Sequence, residues 1–100
     1  IVDIKSVVER EIKDYAGEGA NGYAVMTSNV DGNEFTLVVH AVMDGKSFTF
    51  MSLSVGIIGD SVVIYEDRND PSLTESLIQA GIPREKIILA YAGECAPVEA

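Results

Sequence analysis

Apolar residues recur at three- and four-residue steps over residues 1–16. Ile1, Ile4, Val8, Ile12 and Tyr15 form one stripe, the period of an amphipathic helix. Lys5, Glu9, Arg10, Lys13 and Asp14 fall mostly off that stripe, and Gly17 supplies a stop. The period then changes to two. Residues 23–30 (YAVMTSNV) predict a strand that runs into Asp31-Gly32-Asn33, and residues 34–43 predict a second that runs into Asp44-Gly45-Lys46. Asp-Gly between alternating segments signals a hairpin, because a type I′ turn needs positive φ at both central residues. Phe35, Leu37, Val39, Ala41 and Met43 line one face of the second strand.

The third predicted strand, residues 47–58, is irregular. Its apolar phase moves from Phe48 and Phe50 to Leu53, Val55 and Ile57. Such a slip predicts a bulge or bend, which Gly56 helps accommodate. After Gly59-Asp60, residues 61–67 form a fourth strand, so dense at Val62, Val63 and Ile64 that it belongs inside the sheet. Residues 72–80 read as a short helix with Leu73, Leu77 and Ile78 as its stripe, ended by Gly81 and Pro83. Residues 86–92 (KIILAYA) are rich in β-formers and predict a fifth strand. Gly17 to Gly22 (GEGANG) reads as a flexible loop, and residues 93–100 as a loose tail. The expected fold is one α+β domain over residues 1–100, in the order α-β-β-β-β-α-β. Two helices pack an antiparallel meander sheet, and the last strand follows the second helix. A right-handed crossover would set that strand parallel to a neighbour.

The chain has 100 residues and a net charge of −9, from 7 basic and 16 acidic residues. That balance argues against direct nucleic-acid binding, which needs clustered cations to displace counterions. It leaves room for a basic protein partner. No run of 18 apolar residues occurs, so no membrane-spanning helix is expected. No basic segment leads into an apolar one as in a signal peptide. Cys95 is the lone cysteine, and an internal disulfide is excluded. A reducing, cytoplasmic setting is therefore expected.

The densest polar cluster is Tyr65 to Ser76, which holds Glu66, Asp67, Arg68, Asp70 and Glu75. As a calcium loop it fails. Pro71 stands at the third ligand position, Ser72 where glycine is required and Ile78 where a bidentate glutamate is required. As a helix start it fits in two ways. Asp70 can cap ahead of Pro71, or Ser72 and Glu75 can form a capping box. His40 is the only histidine. A small enzyme could use it with Glu66 or Asp67 as a general base. A packed or edge position on its strand is the plainer reading. Neither a Gly-x-Ser-x-Gly elbow nor a phosphate loop occurs, because the Gly17–Gly22 segment follows a helix and precedes a strand. No catalytic residue, metal ligand or cofactor is assigned. Interaction with a protein, or self-association through an open sheet edge or a small-ligand site, is the class that remains.

Four segments resemble the XisI family, the fdxN element excision controlling factors of cyanobacteria. The opening helix ends in Tyr15-Ala16. Val38-Val39-His40-Ala41-Val42-Met43-Asp44-Gly45 follows the pattern L-L-H-V-x-x-D-G. Gly59-Asp60-Ser61-Val62-Val63-Ile64-Tyr65 is similar to D-G-K-I-W-I-Q, with Val63 where the family usually has Trp. Ser76 to Leu89 is similar to E-L-V-x-x-G-V-P-K-E-D-I-V-L and is the most specific piece. The resemblance spans roughly residues 4–92. Where the family tends to continue with an aromatic, Pro-containing and basic tail, this chain has Tyr91-Ala92-Gly93-Glu94 and then Cys95-Ala96-Pro97. The resemblance implies a non-catalytic accessory protein that controls site-specific excision of a DNA element during heterocyst differentiation. It implies contact with a XisH-like partner and no cofactor. His40, Tyr65, Arg84 and Tyr91 are the candidate functional or partner-contact residues.

Overall fold

The computed structural model describes residues 3–95. In chain order the elements are α1 (Ile4–Lys13), β1 (Gly17–Gly19), β2 (Gly22–Ser28), β3 (Glu34–Met43), β4 (Lys46–Ile58), β5 (Ser61–Asp67), α2 (Leu73–Gln79) and β6 (Ile87–Leu89). Short 3₁₀ turns at Arg84–Lys86 and Ala90–Ala92 flank β6. The strands make one six-stranded sheet in sequence order. β1 to β5 pair antiparallel, and β6 lies parallel to β5. This is the expected α+β meander with its parallel last strand.

One strand is added to the expected order. Gly17–Gly19 is an edge strand paired with Gly22–Ala24, not a flexible loop. Three residues rich in glycine carry no alternation for a pattern to detect. α1 stops at Lys13, because Tyr15 and Ala16 donate to the carbonyls of Ile12 and Lys13 and turn the chain into β1. β6 is shorter than residues 86–92, because Ala90–Ala92 curls into a 3₁₀ turn. The loose-tail reading fails at Glu94. Its carboxylate accepts from the Leu89 amide at 2.8 Å and from Arg84 at 3.1 Å. Residues 96–100 lie outside the described residues.

The predicted phase slip in β4 is a bulge. Leu37 faces Leu53 but Val38 faces Met51, so Ser52 is the extra residue. The bulge returns Phe48 and Phe50 to the same face as Leu53 and Val55. Gly56 is not at this site. A second bulge leaves Tyr65 extra between Ile64 and Glu66 on β5. The Tyr65 ring lies over Gly56, where a Cβ would come within 3.1 Å of it.

Both helices contribute to the single core that covers one face of the sheet. Val8 and Ile12 of α1 and Leu73 and Leu77 of α2 are fully buried with Phe35, Leu37, Leu53, Val55, Val62, Ile64 and Ile87. The Tyr15 hydroxyl donates to the Pro71 carbonyl at 2.8 Å and meets Ser76 Oγ at 3.0 Å, tying the end of α1 to the start of α2. Helix and sheet lengths do not match, however. The 10 residues of α1 span about 15 Å, whereas the 13 residues of β4 span about 43 Å. The molecule is accordingly elongated, 47 × 26 × 25 Å. The far half of β3 and β4, with the neighbouring end of β2, forms an arm that no helix among the described residues covers.

Candidate functional site

The arm carries His40. Strand register sets Glu18, Tyr23, His40 and Thr49 in one row across β1, β2, β3 and β4, on the face away from the helices. The Tyr23 and His40 rings sit 5.0 Å apart at 38°. His40 Nδ1 lies 3.0 Å from Thr49 Oγ1. Neither proposed carboxylate partner reaches it. Glu66 accepts from Arg68 Nε at 2.7 Å. Asp67 accepts from the Leu73 amide at 2.7 Å and the Asn69 amide at 3.0 Å, at the start of α2. The acid–base pair that an enzyme reading of His40 requires is therefore not assembled here.

The rest of the acidic cluster resolves into fold chemistry. Of the two caps read from sequence, Ser72 is the one formed. Its Oγ accepts from the Glu75 amide at 3.3 Å, and Glu75 Oε2 accepts from the Ser72 amide at 3.1 Å. Pro71 does not open the helix, which begins at Leu73. No group of three or more His, Cys, Asp and Glu residues among the described residues is arranged to hold a metal ion. Cys95 is exposed and unpaired by any disulfide.

The other candidates do not converge on His40. Tyr65 is half-exposed on its bulge and lines a 200 Å³ recess with Glu34 and Gly56. Its bulge lies roughly 17 Å along β4 from Thr49. Arg84 donates from Nη1 to the Ile87 carbonyl at 2.6 Å and from Nη2 to Glu94, so it clamps the C-terminal turn. Tyr91 is exposed on the 3₁₀ turn beside β5. A concavity of about 430 Å³ lies between the end of α1 and β1–β3. Gly22, Ala24, Ala41, Asp14 and Glu18 are among the residues that line it. His40 lines none of the recesses described.

Several acids and one phenol are tuned by local bonding. The Leu89 amide, then Arg84, holds Glu94 below the usual carboxylate range. Lys86 does the same for Asp60, and the Ser6 hydroxyl for Asp3. Burial raises Tyr15, aided by the charges of Asp67, Glu11 and Glu75 and opposed by the Ser76 hydrogen bond. These groups lie apart from the arm and serve the fold.

What the sequence reading missed is the arm itself. Tyr23, Val25, Val42, Met43, Phe48, Phe50 and Met51 are all exposed there. Its strands carry no charge between Glu18 and Asp31, between Glu34 and Asp44, or between Lys46 and Asp60. In a chain of net charge −9, that neutrality was the available signal.

The fold and this surface define an α+β protein with a broad sheet and an exposed arm of uncharged residues. The family model described as XisI protein matches residues 3–96, and the chain belongs to the XisI family. Two solved structures from Anabaena variabilis ATCC 29413 share the fold. One is the fdxN element excision controlling factor XisI, at 18% identity and TM-score 0.66, covering 87% of this chain and 82% of its own. The other is a XisI-like protein, at 15% identity and TM-score 0.63, covering 86% and 78%. No curated protein matches the chain by sequence. No helix among the described residues is long and apolar enough to cross a membrane.

Proposed function

We propose that this chain is a non-catalytic accessory protein that controls site-specific excision of a DNA element by contact with a XisH-like protein. Family membership over residues 3–96 carries the reading. A relative of the same fold bears the name excision controlling factor. The surface supports a role in binding. His40 is not brought to Glu66 or Asp67, and the acidic excess suits a basic, DNA-acting protein better than DNA. The cytoplasm is the place of action, and heterocyst differentiation is the setting.

Co-expression with the XisH-like protein encoded beside the gene is the test. A tagged chain should retain that protein through salt washes and size exclusion. Failure of the two purified proteins to associate at tens of micromolar would overturn the reading.

A further inference from the structure

β4 has two neighbours over only part of its length. β5 pairs with Leu53–Ile58. The Arg68 amide donates to the Ser52 carbonyl at 2.8 Å, and Asn69 Nδ2 to the same oxygen at 3.2 Å, which closes the edge at Ser52. Among the described residues, the strand from Lys46 to Met51 pairs with β3 on one side only, and every residue of it is exposed. Native sheets blunt such edges with charge, proline or a bulge. Ser47-Phe48-Thr49-Phe50-Met51 has none of these, because the bulge lies beyond it at Ser52.

We propose that this edge is a self-association site: Ser47–Met51 pairs antiparallel with the same segment of a second copy, about a twofold axis at Thr49. Opposed residues in an antiparallel pair share a face. A twofold axis normal to the sheet therefore places a residue opposite its own copy. Centring on Thr49 uses the whole open window and sets Phe48 against Phe50 of the second copy, twice. Phe-Thr-Phe reads the same in both directions, as an isologous contact requires. The aromatic pairs lie on the helix side, continuing the face of Val39 and Ala41, and such cross-strand pairs stabilise a sheet.

Charge favours a copy as the occupant. Two chains of net charge −9 meet at least cost where neither is charged, and β4 carries no charge between Lys46 and its end at Ile58. The pairing also brings Lys46 to the end of β5 in the other copy. Glu66, Asp67 and Asp70 stand there, with Arg68 already paired to Glu66. The dimer would be a continuous sheet with both helix layers on one side.

The mass of the isolated chain tests this without any other protein, so its outcome is separate from that of the excision partner. Sedimentation should show a dimer at about 50 µM, and Phe50→Lys should raise its dissociation constant at least about 30-fold with unchanged circular dichroism. Val25→Lys, an exposed change on β2, should leave the dimer intact. Opposed Cα atoms in such a pair lie about 4.5–5.5 Å apart, within disulfide reach. Thr49→Cys in a Cys95→Ser background should therefore cross-link under mild oxidation, and it decides the matter if Phe50→Lys does not fold. A monomer at 50 µM, a dimer indifferent to Phe50→Lys, or a Thr49→Cys chain that stays uncross-linked would overturn the proposal. So would an edge occupied by a different protein while the chain itself remains monomeric.

Discussion

At Gly22 the backbone of β2 lies directly against β3. A Cβ there would come 1.9 Å from the His40 carbonyl oxygen and 2.7 Å from Ala41 Cα, both backbone atoms that cannot step aside. Gly22→Ala should therefore cost about 1–3 kcal/mol, read as a lower urea midpoint with an unchanged slope. Gly45 is required for another reason. Asp44 and Gly45 both have positive φ, 52° and 75°, the geometry of the turn that aligns β3 with β4. Tyr15 is the residue that joins distant parts of the chain. Tyr15→Phe removes its hydrogen bonds to Pro71 and Ser76 and should cost about 1 kcal/mol by the same assay. Because its pKa is raised above 10.0, the unfolded chain ionises first, and stability falls as pH rises past that value. In a spectrophotometric titration, the step lost in Tyr15→Phe should lie above the ordinary tyrosine value of 10.0.

Among the elements, α2 shows how local sequence acts through capping. A 7-residue helix is too short to persist alone. It is held by the Ser72–Glu75 box, by Asp67 on the Leu73 amide and by buried Leu73 and Leu77. Ser72→Ala should lower stability by about 1 kcal/mol in thermal or urea unfolding. The bulges in β4 and β5 work differently. Each inserts one residue and shifts the side-chain phase; the bulge in β4 keeps an apolar face continuous, whereas the one in β5 sets Asp67 opposite Leu53. The slip in β4 was visible in the spacing of Phe50 and Leu53. The one in β5 was not, because Val62, Val63, Ile64 and Tyr65 are apolar or aromatic in unbroken succession and carry no phase to break. His40 and its neighbours repeat the lesson on the surface. Sequence placed His40 on a strand, but only pairing register set it beside Tyr23 and Thr49 and kept it from Glu66 and Asp67.

On the scale of the whole molecule, the acidic excess meets the fold at a few closing contacts. Asp60 holds Lys86 and Glu94 holds Arg84 and the Leu89 amide, fastening β6 and its turns. Both carboxyls lie below their ordinary values of 3.8 and 4.5. A depressed native pKa contributes stability that is present above the unfolded value and lost as pH falls. Melting temperature should therefore drop as pH is lowered from about 5 towards 3. Glu94→Gln should melt lower than the parent at neutral pH and show a weaker fall with acid. The elongated shape has one cause, a hairpin longer than the helices that cover its base.

Alternation, Asp-Gly turns and helical stripes determined by themselves the α+β class, the meander order, the parallel last strand and the capped start of α2. These are local properties, written in neighbouring side chains and turn residues. The family resemblance was legible for a related reason, since Gly81-Ile82-Pro83-Arg84 and its flanks preserve a helix stop and a strand entry. The tertiary structure alone decided what each surface faces. It turned Gly17–Gly19 into an edge strand, set Arg84 to clamp the C-terminal turn and separated His40 from the acids. It also left one edge of Ser47–Met51 unpaired among the described residues. Whether a strand edge is covered depends on where β5 ends and how far the helices reach. No periodicity within β4 encodes either length.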